Sequence, residues 1–306
     1  MIIDILLLIL SIVLLWKGSD KLVESAGRIA ARLGVSELII GLTIVAFGTS
    51  APEFAVTVTA ALKGISSISV GNIVGSNIFN LGFILGIVAV IVPVIISPKL
   101  VYRDGAIMIA STFILLFFFH DLTLSFMEGM TLILLLIVYL IFLFFRKEKF
   151  DTDEISQGEG AWKDWIILPV SIAVVVTGGH LLVNSGSSIA RAAGISEWVI
   201  GVTIVAAGTS APEMATSIAA VIKGRHGISA GNLIGSNIFN ILGVLGIAGI
   251  LRPLTIMQSS YYSLIMLMLM VIFAVLLMRT GWRISRTEGL LLILSGLALW
   301  IYDFIK

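Results

Sequence analysis

The chain of 306 residues has no cysteine, three histidines, six prolines and only 12% charged residues. Without cysteine there is no disulfide framework, no thiolate metal site and no Cys nucleophile. His120, His180 and His226 stand at no metal-ligand spacing and are read as interfacial or packed. Soluble domains carry roughly 25% charged residues, so this chain cannot cover itself with a water-facing surface. A net charge of +1 gives no basic face for nucleic acid. What the chain has instead is apolar length, with 58% hydrophobic residues and a mean hydropathy of +1.13.

Runs of about 17 to 25 apolar residues cross the roughly 30 Å hydrocarbon core as helices. Ten such runs are predicted, near 2–16 (continuing toward 32), 37–62, 69–94, 101–119, 124–146, 164–186, 197–222, 229–251, 258–279 and 285–305. They are continuous rather than alternating, which excludes a membrane β-barrel and predicts an all-α polytopic membrane protein surrounded by lipid. The first run has Asp4 before it and Lys17, Lys21, Arg28 and Arg32 after it, the reverse of a signal peptide, and is read as a retained span. Trp16, Trp162, Trp165, Trp198, Trp282 and Trp300 fall mostly near span ends, as an aromatic belt would.

The longest polar stretch, 147–163, holds Asp151, Asp153, Glu154 and Glu159 without fixed ligand spacing and reads as a solvated linker. On either side the sequence repeats at an offset of 160 residues without a gap. SELIIGLTIVAFGTSAPEF at 36–54 aligns with SEWVIGVTIVAAGTSAPEM at 196–214, and GNIVGSNIFN at 71–80 with GNLIGSNIFN at 231–240. Residues 36–80 are identical to their partners at 28 of 45 positions. The expected organisation is therefore a first five-span repeat at 1–146, the linker at 147–163 and a second repeat at 164–306. An odd number of spans makes the second repeat enter from the opposite side, so the two are inverted. Inverted-repeat transporters place their ion sites near the midplane, where broken helices meet.

The segment GTSAPE lies near the middle of spans two and seven, at 48–53 and 208–213. A mid-depth carboxylate costs at least about 2.5–3.5 kcal/mol on insertion scales and ordinarily lines an ion path. Glu53 and Glu213 are the only acidic residues these spans place at mid-depth, and two facing carboxylates need a shared cation or a shared proton. Pro52 and Pro212 cannot donate to the carbonyls of Gly48 and Gly208, so each helix is expected to break one turn before its glutamate. Freed carbonyls, two carboxylates and the hydroxyls of Thr49, Ser50, Thr209 and Ser210 make an all-oxygen environment suited to Ca²⁺, which takes roughly 6–8 oxygens. Two glutamates neutralise one such ion.

Spans three and eight add Asn72, Ser76, Asn77 and Asn80, matched by Asn232, Ser236, Asn237 and Asn240. Residues 72, 76 and 80 share one helix face, as do 232, 236 and 240, and supply neutral oxygens that suit Na⁺. Gly71, Gly75, Gly231 and Gly235 are read as close helix packing. Glu37 and Glu197 are assigned to helix N-termini, and Glu128 and Glu288 to the interface.

On these paired motifs the chain resembles the cation/calcium exchanger superfamily, in particular its prokaryotic sodium/calcium exchangers. The resemblance covers essentially the whole chain. It implies a secondary antiporter rather than an enzyme, with no cofactor, Na⁺ and Ca²⁺ as cargo, and a monomer sufficient for transport at the cell membrane. It implies Ca²⁺ ligation by Glu53 and Glu213 with main-chain oxygens at Thr49 and Thr209. It further implies Na⁺ sites at Ala46, Ser50, Ser76, Ala206, Ser210 and Ser236, with Asn80 and Asn240 completing the centre. The first and sixth spans, 2–32 and 164–186, would slide across a rigid core. Many relatives have Asp where this chain has Asn240, so the centre here carries at most two negative charges and lacks the extra acid a potassium-dependent exchanger would use. A Ca²⁺/H⁺ antiporter using the same glutamates is the nearest alternative, with an intramembrane hydrolase and a channel further away.

Alternating ten spans puts 15 Lys and Arg residues on one side and four, Lys63, Arg191, Arg252 and Lys306, on the other. By the positive-inside rule both termini face outside and the linker is cytoplasmic. A reporter fused to the C-terminus should read extracytoplasmic; a cytoplasmic signal would reject this topology.

Overall fold

The computed structural model describes residues 2–145, 162–194 and 206–305, side chains excepted at 206 and 302–305. The linker carboxylates Asp151, Asp153, Glu154 and Glu159, and Glu197, lie outside the described residues. The helices are α1 (Ile2–Leu33), α2 (Glu37–Thr49), α3 (Ala51–Leu62), α4 (Ser66–Ile91), α5 (Leu100–Asp121) and α6 (Phe126–Phe145). They continue with α7 (Lys163–Ala192), α8 (Ala206–Thr209), α9 (Ala211–Ile222), α10 (His226–Leu251), α11 (Gln258–Trp282) and α12 (Arg286–Ile305). Four two-residue strands are interspersed: β1 (Val94–Ile95), β2 (Thr123–Leu124), β3 (Leu254–Thr255) and β4 (Arg283–Ile284). Among the described residues seven helices are long and apolar enough to cross a membrane, and α2 with α3 would make an eighth as one broken span. The architecture is all-helical, as the apolar runs require.

Contacts group the chain into two compact units, 1–52 with 147–232, and 53–146 with 233–306. Each unit draws on both sequence repeats.

In the first unit α1 and α7 lie antiparallel. Gly18 approaches Val174 and Val175, while Gly178 approaches Leu14 and Leu15, the same contact exchanged by the 160-residue offset. Around this crossing Leu15, Leu22, Val23, Ala26, Ile29, Leu168 and Val175 form a buried cluster with Ala211, Ala220 and Ile228. Ion pairs gather at the end of α1 nearest the start of α7. Asp164 receives Arg28 (2.8 Å) and Arg32 (3.1 Å), Lys223 meets Asp20 (2.6 Å) and Glu24 (2.8 Å), and Arg225 pairs with Glu37. Burial alone would lower the Lys223 ammonium, but Asp20 and Glu24 overcome it and hold its pKa above the ordinary lysine value. Arg28, Arg32, Lys223 and Arg225 therefore share one end of this unit.

In the second unit the strands pair in an exchanged pattern. β1 pairs antiparallel with β4 through Val94↔Ile284, and β2 with β3 through Leu124↔Leu254. Adding 160 to Val94 and subtracting 160 from Ile284 gives the second pairing, so one contact is made twice with the repeats exchanged. Helix packing obeys the same rule. A Cβ on Gly86 would lie 2.8 Å from the carbonyl of Gly289, and one on Gly129 would lie 2.8 Å from the carbonyl of Gly246. Close backbone approach of this kind is a common source of helix association in lipid. Gly64 (φ 76°) and Gly224 (φ 72°) end α3 and α9 in the left-handed conformation, which lets Ile65 and Arg225 bond back to Ala60 and Ala220.

Two expectations change here. Glu128 and Glu288 do more than sit at the interface: each accepts from the backbone N–H and hydroxyl of Ser125 or Ser285, closing a capping box at the start of α6 and α12. Asp104, near the start of the fourth expected span, is fully buried as well, but it carries its own compensation. Arg103 donates to both of its oxygens at 2.9 Å and the Tyr139 hydroxyl donates to Oδ1 at 3.0 Å.

Gly129→Ala should destabilise the protein by about 1–3 kcal/mol, since the new methyl meets backbone that cannot yield. Gly71→Ala, with nothing within 4 Å, should not. Thermal unfolding in detergent separates the two; equal melting temperatures would refute the close-packing account.

Candidate functional site

The helix breaks fall where the prolines demand. α2 ends at Thr49, Ser50 leaves helical geometry (φ −77°, ψ 10°) and α3 begins at Ala51. In the second repeat α8 ends at Thr209, Ser210 adopts φ −89°, ψ 9°, and α9 begins at Ala211. Each glutamate thus occupies the first turn of a new helix, where the partial positive charge of the N-terminus favours a carboxylate. Both Glu53 and Glu213 are fully buried.

In the first unit the broken segment of repeat one reaches the glutamate of repeat two. Ser50 Oγ donates to Glu213 Oε1 at 3.0 Å, and Thr49 Oγ1 donates to Asn232 Oδ1 at 3.1 Å and to the Val45 carbonyl at 3.1 Å. The Asn232 amide then donates to the main-chain carbonyl of Glu213 (3.4 Å) and to Ser217 Oγ (3.0 Å), bracing the first turn of α9 from behind. Glu213 Oε2 is buried and makes no hydrogen bond, and among the described residues no Lys or Arg pairs with this carboxylate. Thr209 and Ser210 are buried in the same unit, as is Ala46, whose carbonyl accepts from the Ser50 N–H (3.1 Å). Ala206 opens α8, with its side chain outside the described set.

In the second unit Asn72 repeats the role of Asn232. Its amide donates to the carbonyl of Glu53 (3.3 Å) and to Thr57 Oγ1 (3.0 Å). Ser76, Asn80, Ser236 and Asn240 are all buried. Neither amide atom of Asn80 has a hydrogen bond, nor does Ser236 Oγ or Asn240 Oδ1, whereas the Asn240 amide nitrogen donates to Asn77 Oδ1 (3.0 Å). Asn80 and Asn240 each open a wide π-helical turn, 80–84 and 240–245. Such turns are frequent at functional sites.

The chemistry of the donor set follows. A buried polar group left without a partner costs about 1–3 kcal/mol, more when charged. The orphaned atoms are a Glu213 carboxylate oxygen in the first unit and, in the second, both amide atoms of Asn80, the Asn240 amide oxygen and the Ser236 hydroxyl; in each unit the acceptors are ones that a hard cation satisfies and an anion does not. No three Asp, Glu or His side chains cluster among the described residues, so most ligands to such a cation would be neutral oxygens.

Residues 3–145 and 163–301 match the family described as sodium/calcium exchanger protein. The chain belongs to the sodium/calcium exchanger family. The exchanger is 36% identical to the sodium/calcium exchanger MaX1 of Methanosarcina acetivorans, with 99% of both chains covered. It is 34% identical to the putative antiporter CaxA of Alkalimonas amylolytica, over 96% of this chain and 97% of that one. Among solved structures it resembles the sodium-calcium exchanger NCX_Mj soaked with Na⁺ and Sr²⁺, at TM-score 0.87 and 31% identity, covering 100% of this chain and 99% of that one.

Within the exchanger, the structure brings Thr49, Ser50 and Glu213 together in one unit and Ser76, Asn80, Ser236 and Asn240 into the other. The glycine reading holds at Gly231, where a Cβ would strike the Leu38 carbonyl at 2.7 Å. It fails at Gly71 and Gly75, which meet nothing within 4 Å, because the face of α4 they occupy is exposed. The bracing by Asn72 and Asn232 was missed, although their spacing of 19 residues from Glu53 and Glu213 recurs in both repeats.

Proposed function

We propose that this protein is a secondary antiporter exchanging Na⁺ for Ca²⁺ across the membrane by alternating access. The observation that carries the reading is Glu213, a fully buried carboxylate whose Oε1 accepts from the Ser50 hydroxyl on the broken helix of the other repeat. Its symmetry mate Glu53 is equally buried in the first turn of α3. In this reading the two glutamates and the main-chain oxygens at Thr49 and Thr209 bind one Ca²⁺. Ala46, Ser50, Ser76, Ala206, Ser210 and Ser236 contribute to Na⁺ sites, and Asn80 and Asn240 complete the centre. The likeness to the sodium/calcium exchangers MaX1 and NCX_Mj supports this cargo.

Exchange follows from charge. Two bare glutamates are too costly to carry through the apolar interior, so the carrier crosses only when loaded. Ca²⁺ cancels a charge of −2, and so do two Na⁺. A third Na⁺ would make the cycle move net charge and respond to voltage. The sequence halves, 1–146 and 164–306, act as inverted five-span repeats joined by a cytoplasmic linker at 147–163. Movement of α1 and α7 alternates the access. Both termini face outside in this arrangement.

Purified protein in liposomes loaded with Na⁺ should take up external ⁴⁵Ca²⁺, and Glu53→Gln or Glu213→Gln should lower uptake more than roughly 100-fold, beyond the loss typical of an outer-shell partner. Uptake indifferent to both substitutions would reject the site. Uptake driven by a pH gradient and not by Na⁺ would replace Na⁺ with H⁺ as the coupling ion. Flux that needs no counter-ion would indicate a channel.

A further inference from the structure

Asn77 is in no ligand set proposed above, yet it touches Asn240, which is. Its Nδ2 donates to the main-chain carbonyl of Asn237 at 3.2 Å, and its Oδ1 accepts from Asn240 Nδ2 at 3.0 Å. All three residues are fully buried and belong to the second unit. A carboxamide can usually be turned end for end, because its nitrogen and oxygen are nearly the same shape. Here it cannot. The Asn237 carbonyl can only accept, which fixes the nitrogen of Asn77 toward it and the oxygen of Asn77 toward position 240. That oxygen in turn can only accept, which fixes the nitrogen of Asn240 toward Asn77. Asn240 Oδ1 is left buried without a hydrogen bond.

The repeats do not share this device. Asn237, the mate of Asn77, turns its amide back to the Leu233 carbonyl one helical turn away (2.7 Å), and both amide atoms of Asn80, the mate of Asn240, lack hydrogen bonds. One carboxamide of the pair is therefore locked and the other is not.

We infer that Asn77 is a positioning residue that fixes the amide of Asn240 so that its oxygen, and never its nitrogen, is presented to the transported cation. This rests on the proposed function in taking Asn240 as a cation ligand. An amide presented the wrong way offers a cation two N–H donors in place of an oxygen, so the orientation decides whether the position attracts or repels it. The role belongs to binding and should appear in the half-saturation for Ca²⁺ and Na⁺ rather than in the maximal rate.

The test is a double-substitution cycle in liposomes, measuring half-saturation and maximal rate separately. Asn77→Leu conserves approximate volume and removes both hydrogen bonds; it should raise half-saturation roughly 10-fold or more, the range for losing an outer-shell partner, with the maximal rate within about twofold. Asn240→Leu should raise it as well, and Asn77→Leu should add nothing in that background. Effects that multiply, or a loss confined to the maximal rate, overturn the positioning role. Should Asn77→Leu fail to assemble, solid-state NMR of the wild type in bilayers, with ¹³C,¹⁵N-asparagine, decides the matter. The contact between Asn240 Nδ2 and Asn77 Cγ should survive saturation with Na⁺ or Ca²⁺ while Asn240 Cγ shifts; its disappearance on adding the cation overturns the inference. A wild type that binds neither cation overturns the function reading beneath it, whereas a wild type that binds with independent Asn77 and Asn240 effects overturns this inference alone.

Discussion

The structure turns on polar acceptors buried in an apolar helical protein without the partners that would normally accompany them. The contrast between two buried carboxylates makes this plain. Asp104 lies beside an arginine that grips both its oxygens and a tyrosine that adds a third donor, so its burial is compensated within the fold. Glu213 has a serine hydroxyl on one oxygen and no hydrogen bond on the other. The first is an internal brace. The second has no such brace, and a cation bound there, as proposed above, would supply the missing compensation.

The two repeats make matched contacts. Antiparallel α1 and α7, the exchanged strand pairs and the Gly86–Gly289 and Gly129–Gly246 approaches are each one contact made twice. Asn72 and Asn232 brace their glutamates through the same pair of bonds, with Thr57 and Ser217 as equivalent acceptors. Where the symmetry fails, it fails locally. Asn77 crosses to the other repeat while Asn237 bonds to its own helix, and Gly231 is packed while Gly71 is open. Identical residues in identical motifs thus make different contacts.

Much of this was legible in the amino-acid order. The duplicated GTSAPE announces a helix break, because proline removes the donor that would have continued the helix, and the break appears at Ser50 and Ser210. The buried stripe of Asn and Ser follows from helical spacing. Other features had no such signal. A π-helical turn has no hydrophobic period that distinguishes it from the α-helix around it, so the turns at Asn80 and Asn240 were invisible. The partners of Asp104 include Tyr139 from another helix, which spacing alone does not reveal. The Ser125–Glu128 and Ser285–Glu288 capping boxes are readable as Ser-x-x-Glu, a local pattern that placement of these glutamates near span ends obscures. The split at Asn77 lay beyond any reading of symmetry, since the two motifs are the same through ten residues except at two apolar positions.

The central claim is that Ca²⁺ and Na⁺ compete for one set of oxygens built around Glu53 and Glu213. Equilibrium ⁴⁵Ca²⁺ binding to the purified protein tests it most directly. The account predicts one Ca²⁺ per chain at saturation, displaced by Na⁺ in strictly competitive fashion, with binding lost in Glu53→Gln and in Glu213→Gln. Ca²⁺ that stays bound at saturating Na⁺, or binds undiminished without either glutamate, would contradict it.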